Sequence, residues 1–222
     1  MKSNEELVNY LIGTGVLKSL DIIQAMSKID RKDFVGPESE SFAYDDYPCS
    51  IGYGQTISQP TTVAFMMEQL QPQESERVLD IGYGSGWTTA ILASVVGDKG
   101  RIFALELISI LKRFGENNVK KYKFQNITFI EGDGSKGFAR EAPFDRIIVS
   151  AAAPFLPNFL KEQLKIGGRL VIPVGRASQS IYVIERVDEK TYKKKKIPGF
   201  VFVELKMNRN NRKNKINRTE QL

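Results

Sequence analysis

Histidine is absent from all 222 residues. Without an imidazole there can be no Ser-His-Asp triad, no Cys-His pair, no His-ligated zinc and no imidazole base titrating near neutral pH. Cysteine is almost as scarce: the single Cys49 excludes an intrachain disulfide and any Cys-cluster metal site, so no bound metal is expected. No apolar run approaches the roughly 18 residues of a membrane-spanning helix, and the opening MKSNEELVNY is charged and lacks a signal-peptide core. The expectation is a soluble, cytoplasmic protein whose chemistry manages without a base poised near pH 7.

What is present fits one α/β domain with appendages. Apolar residues make up 41% of the chain, ample for a core of that size. The net charge of +6 is unevenly placed, with basic residues concentrated in Lys193 to Lys196 and from Lys206 to Arg218. Ser3 and Glu6 have capping-box spacing ahead of Leu7, Tyr10 and Leu11, and Ser19 opens a second helical pattern through Ile22, Ile23, Met26 and Ile29. Residues 34–60 are rich in Gly, Pro, Ser and Tyr yet also carry apolar side chains, which predicts ordered, irregular structure.

After a helical run beginning near Thr61, strands are predicted at Arg77 to Ile81, Arg101 to Leu105, Ile127 to Glu131, Arg146 to Ser150 and Arg169 to Val174. Helices are predicted between them, starting near Trp87, Ile108, Gly137 and Leu156. Two more strands, Ser180 to Val187 and Phe200 to Leu205, follow without a long helix and are expected to pair antiparallel. The alternation predicts a Rossmann-like α/β fold. It should have a seven-stranded, mostly parallel sheet with an antiparallel edge strand, helices on both faces and a small N-terminal helical extension. The division would be helices and a substrate loop over 1–60, a ligand-binding core over 61–205, and a basic, disordered tail over 206–222.

The most informative stretch is RVLDIGYGSGW, where a short apolar strand meets Asp80 and then Gly82, Gly84 and Gly86 at alternate positions. Glycine permits positive φ and close approach of a ligand to backbone. A dinucleotide loop would read G-x-G-x-x-G, but Trp87 stands at that motif's third glycine. Glu106 ends the next apolar run, at the distance where an acid accepts from ribose hydroxyls. No lysine in the loop pairs with a phosphate, so a nucleoside with a cationic centre, such as S-adenosylmethionine, suits it better than ATP or NAD.

The third strand ends in GDGSKG, where Asp133 could accept from an adenine amine and Gly134 leave room for the ring; a GDG taken alone is commonly just a turn. The fourth ends in Ser150, Ala151 and two further alanines before Pro154, without the Asn/Asp-Pro-Pro-aromatic run used in amino-group methylation. Nor is there a carboxylate cluster for metal-assisted catechol methylation. What remains is an acceptor that needs no deprotonation, such as a carboxylate. The loop IGYGQTIS could align it through Thr56, Ser58 and backbone amides. By itself Ser58 reads first as a cap for the following helix, a role compatible with the other.

IDRKDFV, IGYGQTISQP, LDIGYGSGW, FIEGDGSKG, EAPFDRIIVSAAAP and IGGRLVIPVG together resemble the protein-L-isoaspartate O-methyltransferases, class I S-adenosylmethionine-dependent enzymes, over most of residues 29–175. The resemblance implies methyl transfer to the α-carboxyl of isoaspartyl residues in damaged proteins and peptides, with S-adenosylhomocysteine as product and repair through a succinimide. It implies Ser58 as the active-site residue and Gln55, Thr56 and Ile57, with Ser150 and Ala151, around the substrate. Asp80, Gly82, Gly84, Gly86, Glu106, Asp133 and Gly134 would serve the donor. The chain departs from the family pattern at Thr61 and Thr62, where relatives commonly carry His or an aromatic residue, at Glu204 in FVFVEL, and in its basic tail. An RNA methyltransferase is the alternative suggested by the tail and an isoelectric point near 9.3; it predicts a continuous basic surface near the donor pocket. A non-catalytic donor- or peptide-binding protein and a peptide-tailoring carboxyl methyltransferase also remain open.

Overall fold

The computed structural model describes residues 1–207, so all but the first two residues of the predicted tail lie outside it. Seven strands form one sheet: β3 (Arg77–Ile81), β4 (Arg101–Glu106), β5 (Ile127–Glu131), β6 (Phe144–Val149), β7 (Leu164–Gly175), β8 (Gln179–Arg186) and β9 (Tyr192–Phe200), in the order β5-β4-β3-β6-β7-β8-β9. The first five positions pair in parallel, and β7–β8 and β8–β9 pair antiparallel. β3 therefore lies where the strand order reverses, between β4 and β6.

Side chains alternate across β3. Val78 joins a core shared with α1 (Asn4–Gly13), α2 (Leu20–Lys28), α3 (Pro60–Leu70), α4 (Trp87–Val96) and α5 (Ser109–Lys120). Leu79 and Ile81 point into a second core covered by α6 (Asn158–Glu162) and nearby loops. Helices thus cover both faces unequally, the N-terminal extension thickening the first. No helix among the described residues is long and apolar enough to cross a membrane.

Local signals explain several of these elements. Ser3 accepts from the Glu6 N–H at 3.2 Å, while the Glu6 carboxylate accepts from the Lys2 N–H. Ser19 caps differently from its pattern: its hydroxyl donates to Glu68 of α3 at 2.8 Å instead of bonding its own helix.

Three expectations need correction. No α-helix starts near Gly137; two short 3-10 turns, Gly134–Lys136 and Ala139–Glu141, flank that residue, whose φ is +71°. The Gln163 side chain satisfies this stretch, accepting from Phe138 N–H and donating to the Lys136 carbonyl. β6 and β7 begin at Phe144 and Leu164, earlier than the apolar runs suggested. The final strand is Tyr192–Phe200, so the apolar Phe200 to Leu205 is not the sheet's last strand. Lysines are tolerated on β9 because it is an edge, where charge discourages pairing with another chain. Residues 201–207 run instead as an extended strap, fastened to Ala152 by an isolated parallel bridge at Glu204.

Candidate active site

The carboxyl ends of β3, β4 and β6 meet at the reversal of strand order, where open α/β sheets bind ligands. A cleft of about 740 Å³, counting its open mouth, lies there, roomy enough for a nucleoside and part of a second ligand. On one side stand Gly82, Gly84, Glu106 and Gly134; on the other Gln55, Thr56, Ile57, Ser58, Ser150 and Ala151. Three predicted donor residues, Asp80, Gly86 and Asp133, lie outside this lining.

Their positions explain why. Asp80 is wholly buried beneath the glycine loop, accepting from the Thr89 hydroxyl at 2.6 Å, with Oδ1 unpartnered among the described residues. Gly86, at φ +87°, opens α4, and a Cβ there would stand 2.7 Å from the Gly115 carbonyl oxygen. It permits helix packing, not ligand approach. Gly115 reciprocates: a Cβ on it would reach within 2.4 Å of the Gly84 carbonyl. Asp133 accepts from Ser135 N–H at 2.9 Å and caps the 3-10 turn, while its neighbours Gly132 and Gly134 face the cleft.

Glu106 is fixed by two backbone donors, Gly84 N–H at 3.1 Å and Ile108 N–H at 2.9 Å. A carboxylate offers about four lone-pair directions, so two remain for a diol in the cleft. Burial pushes the Asp80 carboxyl up to about 7, with the Thr89 bond opposing the shift and Glu106 adding to it. An aspartate in the unfolded chain titrates near 3.9, roughly. The native state therefore binds the extra proton between these values, and Asp80 removes stability as pH rises through that window. Asp80→Asn should flatten the fall in melting temperature between about pH 4 and about pH 7; an unchanged slope would acquit this carboxyl.

The acceptor side is a β-hairpin, β1 (Cys49–Gly52) and β2 (Gln55–Ile57), laid on the glycine loop, with Ile51 Cδ1 only 3.0 Å from where a Gly84 Cβ would stand. Ser58 follows β2. It does not cap α3, whose N-cap is Gln59 with Pro60 next, and its hydroxyl makes no hydrogen bond among the described residues. Asp46 takes over the cap, accepting from Thr61 N–H at 2.8 Å, from the Thr61 hydroxyl at 2.7 Å and from the Gln59 amide.

Arg31 was not anticipated and organises this side. Its side chain is fully buried, and its guanidinium donates to the carbonyls of Ala43 (2.6 Å), Tyr47 (3.0 Å) and Ser58 (3.2 Å), with its charge 5.4 Å from the Trp87 ring centroid. Trp87 itself is packed, 2% exposed, with Nε1 pointing at the Ile29 carbonyl. Nothing in IDRKDFV marks Arg31 as buried, since its partners lie 12 to 27 residues onward. The strap closes the cleft's last side with Val203, Glu204, Leu205 and Lys206.

The family model for protein-L-isoaspartate(D-aspartate) O-methyltransferase matches residues 2–210. A protein-L-isoaspartate O-methyltransferase of Methanothermobacter thermautotrophicus is 40% identical over 207 residues, covering 92% of this chain and 95% of the relative. Its counterpart in Methanopyrus kandleri is 41% identical over 206 residues, 92% of this chain and 91% of the relative. Among solved structures, a putative protein-L-isoaspartate O-methyltransferase of Plasmodium falciparum in complex with S-adenosyl-L-homocysteine superposes with a TM-score of 0.84 at 26% identity, over 94% of this chain and 100% of that one. With the glycine loop, the hairpin and the strap in one cleft and these matches spanning nearly its whole length, the chain belongs to the protein-L-isoaspartate(D-aspartate) O-methyltransferase family.

Proposed function

We propose that the chain transfers a methyl group from S-adenosylmethionine to the α-carboxyl of L-isoaspartyl residues in damaged proteins and peptides. The observation that carries this reading is the meeting, in one cleft, of a glycine loop and ribose-placed acid with a free serine hydroxyl, in a chain that has no histidine to serve as a base. The cleft fits a cationic nucleoside: the Glu106 carboxylate stands in its lining beside the glycine loop.

When bound, the donor supplies an electrophilic methyl on a positively charged sulfur. Glu106 accepts from the ribose, and Gly132 and Gly134 leave space for the base. A carboxylate acceptor arrives ionised, so the protein's task is to align it and strip away water. Ser58 and Thr56 supply hydroxyls to hold it, and Arg31 holds the Ser58 segment in place. The ester then leaves, and without further help a backbone amide nitrogen attacks its carbonyl, expelling methanol and closing a succinimide. Of the other residues assigned to the site, Gln55, Ile57, Ser150 and Ala151 shape the acceptor wall, and Asp133 shapes the base-side turn.

The nucleic-acid alternative is disfavoured by where the lysines lie. Lys193–Lys196 belong to β9 at the far sheet edge, with Lys195 donating to Gln69 and Lys194 over Tyr182, while among the described residues Lys206 is the lone basic residue of the cleft lining. Incubation with labelled S-adenosylmethionine and, in turn, an isoaspartyl peptide, its aspartyl counterpart and structured RNA separates these readings. Label on the isoaspartyl peptide alone, greatly reduced in Ser58→Ala, is expected. Label on RNA, or donor binding without transfer, overturns the proposal.

A further inference from the structure

The strap carries a charge that the reaction described above does not use. Ala152 N–H donates to the Val203 carbonyl at 2.8 Å, and Leu205 N–H donates to the Ala152 carbonyl at 2.9 Å. These bonds fix the backbone of Glu204 beside Ala152, the residue that follows Ser150 and Ala151 in the chain. Its side chain is exposed and borders both the main cleft and an adjoining groove lined by Gly54, Gln55, Leu107 and Lys206. The Glu204 carboxylate has no hydrogen bond or ion pair among the described residues, whereas the neighbouring Lys206 commits its ammonium to the Tyr53 carbonyl at 3.0 Å. Among the described residues the mouth of the site thus presents a carboxylate with no bonded partner, with the Lys206 ammonium as the other charge of the groove.

We propose that Glu204 is a specificity-determining residue, favouring isoaspartyl sites flanked by lysine or arginine and disfavouring those flanked by acidic residues. This rests on the carboxyl-methylation reading. The acceptor is itself an anion, so a second negative charge beside it meets both its own repulsion and that of Glu204, while a basic neighbour relieves both. The groove past Gly54 and Gln55 is where peptide adjoining the acceptor would lie, and there Glu204 and Lys206 stand as the charged groups. Because Glu204 is exposed and its carboxylate bonds nothing described, its amide replacement leaves the fold intact.

The test uses short isoaspartyl peptides that differ only in carrying Lys, Gln or Glu before or after the isoaspartyl residue, with the wild-type chain and Glu204→Gln, at low and high salt. The wild type is expected to favour Lys over Glu on at least one side by roughly fivefold in kcat/KM, the scale of one partly exposed charge pair. The preference should reside in KM and shrink with salt. Glu204→Gln should narrow it to about twofold or less by improving the Glu-flanked peptides. Transfer to all peptides with the same ratios in both proteins overturns the inference and leaves the activity standing. Transfer to none overturns the activity itself, and the inference with it.

Discussion

Arg31→Met lowers turnover of an isoaspartyl peptide by about a hundredfold, the scale at which a small displacement of a positioning element removes catalysis. Three good carbonyl acceptors, from Ala43, Tyr47 and Ser58, lose their donor together. Burial lowers the pKa of Arg31 chiefly through desolvation, yet a guanidinium stays charged in proteins. Its Nε is buried without a partner among the described residues, so the cation is held at a cost that the carbonyl bonds offset. Methionine keeps much of the volume and none of the donors, leaving the 43–58 segment without its anchor; the stability loss should be on the order of 3 kcal/mol. Arg31→Lys keeps the charge but offers a compact ammonium in place of the fork, and should fall between the two. A purely structural role would lower active fraction and melting temperature alone. The positioning role predicts that folded Arg31→Lys binds S-adenosylhomocysteine nearly as the wild type does while kcat drops. Equal kcat in folded protein would refute it.

The second large effect runs against helix propensity. Gly115 sits within α5, where alanine is ordinarily favoured by about 1 kcal/mol. Here an added Cβ would stand 2.4 Å from the Gly84 carbonyl and 2.8 Å from the Tyr83 ring, so either α5 or the glycine loop must retreat. Gly84 also donates its N–H to Glu106, and a shift of the loop loosens the acid we propose for ribose. Gly115→Ala should weaken S-adenosylhomocysteine binding by about tenfold or more and cost roughly 1 to 3 kcal/mol of stability. Gly13→Ala is the control: that residue ends α1 with nothing within 4 Å of the added carbon, so donor affinity should not change. Calorimetric titration of both variants decides the matter, and an unchanged affinity in Gly115→Ala would contradict the packing account.

Gly115 and Arg31 also show where sequence reading stops. The five parallel strands were legible because each is a short apolar run closed by Gly, Glu or Ser, and the strands set the place of the ligand loop. Glu106, Gly82 and Gly84 were legible for the same reason, lying at strand ends. β9 was not, because a run of lysines is compatible with an edge strand and equally with a solvated turn, while the apolar FVFVEL serves as a strap over the site. Gly86 was recognised for the right loop but the wrong contact, since its neighbour Gly115 lies on another helix. Asp46 capping α3 and Arg31 gathering the carbonyls of a later loop arise from contacts that no local pattern encodes.

The most direct measurement follows one synthetic isoaspartyl peptide by mass spectrometry during incubation with the protein and S-adenosylmethionine. The account predicts a methyl ester that forms only with the donor present, gives way to a succinimide, and ends as a mixture containing the normal aspartyl peptide. A methylated product that persists without cyclising, or an unchanged peptide beside tightly bound donor, would contradict transfer to the isoaspartyl carboxyl.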